Sequence, residues 1–71
     1  MMFQEIKDLL DKDPFEPFNI VTNSGEKYVV ENPYNVAFGE TRIVIFPPHS
    51  NRWIMIRLNQ VTALESVHEA A

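Results

Sequence analysis

Arg42, Arg52, Trp53 and Arg57 are the residues of this chain whose types and spacing best suit a ligand. An aromatic ring stacks on a nucleobase and guanidinium groups neutralise phosphates, so one strand face carrying both is a candidate surface for single-stranded RNA. The competing reading is architectural. In it Trp53 packs beneath a helix and the arginines pair with helix acids such as Glu5, Asp8 or Asp11, at about 0–1 kcal/mol for each exposed pair.

Other chemistry finds little support. His49 and His68 are of a type that titrates near neutrality and ligates zinc, but one falls in a loop and the other in a tail that reads as frayed. There is no cysteine and no His-x-x-x-His, so no metal site is expected. Asp11, Asp13 and Glu16 cluster where a helix ends, without the twelve-residue loop and terminal glutamate of an EF-hand. Ser24 and Ser50 lie in turn sequences, and neither stands in a nucleophile elbow. Gly25 and Gly39 are the only two glycines, too few for a phosphate-cradling loop. No acid, base and nucleophile converge, so no catalytic residue, no cofactor and no small-molecule substrate is expected.

Composition narrows the partners. Six Lys and Arg stand against ten Asp and Glu, a net charge of −4, which disfavours nucleic acid over most of the surface while leaving room for a local basic strip. Met1 to Leu10 is interrupted by Glu5, Lys7 and Asp8 and does not read as a signal peptide, and no apolar run approaches the ~20 residues of a membrane-spanning helix. Together with the absence of cysteine this predicts a cytoplasmic protein without a membrane partner. With 71 residues, the chain has room for one domain, 1–71, and a single small core. A domain of this size buries only about 60% of its unfolded surface, so self-association is a natural reinforcement.

The elements that must position these residues follow from periodicity. Met2, Phe3, Ile6, Leu9 and Leu10 recur at helical spacing, predicting an amphipathic helix of two to three turns that stops before Pro14. Pro14, Phe15, Glu16, Pro17 and Phe18 form an extended connector, with Phe15 and Phe18 plugging the gap between helix and sheet. From Phe18 the period changes to two. Residues 18–22 and 27–31 read as a hairpin whose turn, Asn23 to Glu26, places Gly25 at positive φ. Asn32, Pro33, Tyr34 and Asn35 break the second strand, and 36–38 read as a short extended piece or a bulged continuation. Residues 41–46 and 52–58 are the strongest strand signals and form the central hairpin; 61–67 follow as the last strand after a break at Asn59 and Gln60.

Neither central strand alternates cleanly. Ile43 and Ile45 oppose Arg42, Val44 and Phe46, while Ile54, Ile56 and Leu58 oppose Trp53, Met55 and Arg57, so both faces are largely apolar. Such strands call for a cover on each side: the sheet curling onto itself, and either the helix or a neighbouring subunit. The predicted fold is mainly β, a short N-terminal helix followed by a strongly bent five-stranded antiparallel sheet that makes a small, partly open SH3-like or Sm-like barrel.

The Pro-Phe-x-Pro-Phe connector (Pro14, Phe15, Pro17, Phe18), the turn glycine Gly25 and the closing Leu58, Val61, Leu64 and Glu65 resemble a large group of small bacterial proteins to which no activity attaches. The order of elements also resembles the Sm-like fold, which includes the bacterial RNA chaperone Hfq. That resemblance implies subunits whose last two strands pair edge to edge into a ring with RNA around its pore. Where Hfq carries Tyr-Lys-His before its last strand, this chain has Arg57, Leu58, Asn59 and Gln60. The reading is therefore a non-enzymatic, homo-oligomerising interaction module with Val61, Ala63 and Leu64 at the subunit interface; the rival is an RNA-binding ring using Arg42, Arg52, Trp53 and Arg57.

Overall fold

A computed structural model describes residues 2–47 and 49–67. The tail from His68 onward, with the histidine considered above, lies outside the described residues.

Helix α1 spans Met2–Leu10. Its apolar stripe points inward: Ile6 is fully buried, and Met2, Phe3, Leu9 and Leu10 pack on the core around it. The outward side is held by pairs one turn apart, Gln4 Nε2 donating to Asp8 Oδ1 at 2.8 Å and Lys7 Nζ to Asp11 Oδ2 at 2.8 Å. So short a helix is marginal in isolation, and docking is what stabilises it. Phe3 contributes by stacking on Phe38, ring centroids 4.9 Å apart. In the connector Phe18 is buried and Phe15 half-buried, their rings tilted at 6.1 Å, which matches the plug expected of them.

Among the described residues six strands follow, β1 Phe18–Thr22, β2 Lys27–Val30, β3 Val36–Phe38, β4 Arg42–Ile45, β5 Ile54–Arg57 and β6 Val61–Ser66. They form two antiparallel sheets of three strands each, ordered β2-β1-β6 and β3-β4-β5. This corrects the single five-stranded sheet read from the sequence. The physical cause lies at residues 32–35. Pro33 has no N–H for a ladder, and Asn32 Oδ1 accepts from the Tyr34 N–H at 2.9 Å, capping a 3₁₀ turn over Pro33–Asn35. The chain leaves the first sheet there, and the 36–38 piece becomes a strand in its own right, paired with β4 through Val36↔Ile45 and Phe38↔Ile43.

In the first hairpin the expected turn forms, with Gly25 at φ 87° and its N–H donating to the Thr22 carbonyl at 2.9 Å. On the other flank β1 pairs with β6, Ile20 opposite Leu64 and Val21 opposite Ala63, before a shift in register brings Thr22 opposite Val61. A second 3₁₀ turn, Leu58–Gln60, carries the chain from β5 in one sheet to β6 in the other and lies against α1. Inward side chains of both sheets, Phe18, Ile20, Val30, Ile43, Ile45, Ile56 and Val61, join Ile6 and Leu58 in one core. Among the described residues no helix is long and apolar enough to cross a membrane.

Candidate interaction surface

The two central strands alternate strictly, which decides where each candidate residue goes. In β4 and β5 the pairs Ile43↔Ile56 and Ile45↔Ile54 turn into the core, and the intervening pairs Arg42↔Arg57 and Val44↔Met55 turn away from it. Phe46 and Trp53 lie one position beyond Ile45 and Ile54 in the chain, and both are exposed. The Phe46 N–H still donates to the Asn35 carbonyl at 2.7 Å, so the ladder extends that far.

The outward side of β3-β4-β5 thus carries two cross-strand rows, the arginine pair and then Val44 and Met55 beside Ala37, with the exposed Phe46 and Trp53 next in the chain beyond the last paired residues. Trp53 is 60% exposed, Met55 47% and Phe46 46%, unusual values for large apolar side chains gathered on one sheet face. No acid and no lysine lies within the rows. Arg42 and Arg57 are exposed, and among the described residues the ion pairs are Lys7–Asp11, Lys12–Glu16 and Lys27–Glu65, with no arginine among them. Arg42 Nη1 reaches toward Met55 Sδ at 3.9 Å, a weak contact.

These positions overturn the architectural reading of Trp53 and the arginines. Trp53 is a surface residue away from α1, and Asp8 and Asp11 are engaged by Gln4 and Lys7 instead. Of the four residues singled out by type, Arg42, Trp53 and Arg57 share the outward face. Arg52 sits in the preceding loop, its N–H donating to Ser50 Oγ at 3.1 Å, where it lines a shallow cleft with Trp53. Val44, Phe46 and Met55, which strand alternation sets on the faces of Arg42 and Arg57, add apolar groups, exposed in Phe46 and Met55, beside the candidate residues. The two-residue spacing from Arg42 and Trp53 was the available signal.

A cleft of about 650 Å³ adjoins the arginine row, lined by Met2, Phe3, Glu40, Thr41, Arg42, Arg57, Leu58 and Asn59. The residues read as a subunit interface are placed differently. Val61 is buried in the chain's own core, while Ala63 and Leu64 are half-buried. Their strand, β6, is paired on one side by β1 and unpaired on the other; β5 is likewise paired on one side by β4.

Shifted protonation lies away from this face. Asp11, by its hydrogen bond and then its charge, holds the Lys7 ammonium above its ordinary 10.5, and Glu26 holds the Tyr28 hydroxyl above 10.0. Among the described residues no group of three His, Asp or Glu is arranged to hold a metal ion. Comparison with models of protein families, with curated proteins and with solved structures finds no match to this chain.

Proposed function

We propose that the chain is a non-enzymatic interaction module of Sm-like architecture, working in the cytoplasm, whose copies associate edge to edge. The observation that carries this reading is the strand order β6-β1-β2 and β3-β4-β5. β2 and β3 follow each other through one 3₁₀ turn without pairing, so each sheet has two edges, β2 and β6 in one and β3 and β5 in the other, and the reading takes β5 and β6 as the two that meet between copies. An exposed edge is a template for another strand, and these two edges differ. Pairing the β5 edge of one copy with the β6 edge of the next is head-to-tail, the type of contact that closes into rings.

Light scattering over rising concentration tests the proposal. The expected result is a multiple of the single-chain mass, with amides of β5 and β6 exchanging more slowly in the assembly than on dilution. A single-chain mass at every concentration refutes it.

A second reading, the RNA-binding ring, is favoured by the joint placement of Arg42, Trp53 and Arg57 on one uncovered face. It requires binding to short single-stranded RNA that weakens with salt and on Arg57→Ala. Absence of binding at low salt removes it.

A further inference from the structure

We infer that the outward face of β3-β4-β5 is a second, self-complementary interface, which seats the same face of another copy with its strands running in the opposite direction. The pattern of rows carries the inference. Consider a two-fold axis in the plane of contact, crossing the strands at Val44 and Met55. It sets Val44 and Met55 against their own counterparts. Counting two residues to either side of Val44 and Met55, it also brings Arg42 and Arg57 of each copy toward Phe46 and Trp53 of the other, the exposed residues that flank the last pair Ile45↔Ile54. A guanidinium over an indole or phenyl face is an attractive arrangement, strongest when water is excluded. Stacking in the same direction would bring four arginines together instead, so charge selects the antiparallel arrangement.

The distances are compatible with this. The arginines and the aromatic residues stand four residues apart, roughly 13 Å along a strand, which keeps the arginine pairs of the two copies beyond a Debye length of about 8 Å. Trp53, Phe46 and Met55 together expose on the order of 300 Å², taking about 200 Å² for a large side chain. Val44, Ala37 and the aliphatic stems of the arginines bring the contact toward, but not above, the roughly 800 Å² per partner of a standard interface. The association is therefore expected in the micromolar range. Composition agrees, because tryptophan, phenylalanine, methionine and arginine are enriched at interfaces, and lysine and acids, absent from these rows, are depleted. The contact is separate from the edge pairing proposed above, which uses backbone groups of β5 and β6.

Trp53 is the chain's one tryptophan, so emission excited selectively at the red edge of indole absorption, where the two tyrosines do not absorb, reports on the surroundings of Trp53. Emission and scattered mass are measured together over a dilution series for the wild type, for Arg57→Glu and for Met55→Glu. The second variant sets like charges against each other at the two-fold centre. The expected result is shielded emission at high concentration that shifts to the red as the mass falls. Both variants move that midpoint at least about tenfold upward, because the symmetry repeats each altered contact. Exposed-type emission at all concentrations overturns the inference: if the mass still rises, edge pairing stands alone, and if it does not, both proposals fall. Shielding that occurs only after a single-stranded oligoribonucleotide is added overturns it in favour of RNA.

Discussion

Arg42 and Arg57 stand directly opposite each other on neighbouring strands, and replacing one of them by an acid should make the isolated chain more stable. Opposite residues of an antiparallel pair have Cβ atoms about 5 Å apart, and like charges so placed are destabilising. With the guanidinium groups splayed to about 7 Å in water, Coulomb's law gives a repulsion of roughly 0.6 kcal/mol. Arg57→Glu converts it into an attraction of similar size, a change of about 1 kcal/mol at low ionic strength and about half that at physiological salt. The weaker strand propensity of glutamate returns a few tenths. For a domain of this size, 1 kcal/mol corresponds to about 4–8 °C in melting temperature. The assay is thermal unfolding by circular dichroism at a concentration low enough for single chains, at two salt concentrations, with Arg57→Gln as the variant that removes repulsion without adding attraction. The expected order at low salt is wild type, then Gln, then Glu, with the spread narrowing as salt rises. A Glu variant that melts below the wild type at low salt, or a gain indifferent to salt, refutes the reasoning.

Three further outcomes follow from the core, the turns and the titrating groups. Ile6→Ala removes a fully buried side chain that anchors α1, so it should cost about 2–5 kcal/mol of a total near 4–10, visible as a lower denaturant midpoint; a cost under about 1 kcal/mol would mean that the helix is held elsewhere. Gly25→Ala should destabilise by about 1 kcal/mol or more because φ is 87°, whereas Gly39→Ala, whose added Cβ meets nothing nearer than the Arg42 carbonyl at 3.8 Å, should stay within about 0.5; equal effects would contradict the turn assignment. Lys7 and Tyr28 both bind their protons more tightly in the fold than their ordinary values of 10.5 and 10.0, so stability should be level below about pH 10 and fall as pH rises through the folded values. Unfolding measured from about pH 8 to about pH 11 checks this, and Asp11→Asn should remove the Lys7 share of the decline.

Local signals were strong wherever one residue type settles the backbone or one period dominates. The helix over Met2–Leu10, the turn at Gly25 and the pairing of the two central segments all follow from such signals. The split into two sheets was harder to read, since Pro33 and the Asn32 cap announce a break in a strand but not whether the chain rejoins the same sheet beyond it. That depends on long-range pairing, in particular on β6 crossing to β1, to which nothing local to residues 61–66 points. The surface was half legible. Residue type singled out Arg42, Trp53 and Arg57, and their shared face follows from the register Arg42↔Arg57, which a count of residues through the loop between β4 and β5 could not supply. Arg52 is a candidate on charge alone, and its place in the loop before β5 sets it apart from the arginine pair on the strands.

A sheet with both faces apolar implies two covers, and the chain provides one. The inward face closes on Ile6 and the opposite sheet, leaving the outward face with Trp53, Met55 and Phe46 in water. A domain selected for stability alone gains little from such a face. Exposed large apolar groups promote non-specific association, and like charges set directly opposite each other on neighbouring strands cost a fraction of a kcal/mol. Replacing Trp53 by threonine or Arg57 by glutamate would relieve either problem without touching the core. The remaining acids, meanwhile, leave the molecule with a net charge of −4 while none enters these positions. With ten acids among 71 residues a set of these few positions without an acid is an ordinary occurrence, so it is the association measurement that distinguishes a working surface from a tolerated patch. For the self-association proposed above, Arg57→Glu is the decisive substitution, because stability and association should then change in opposite directions.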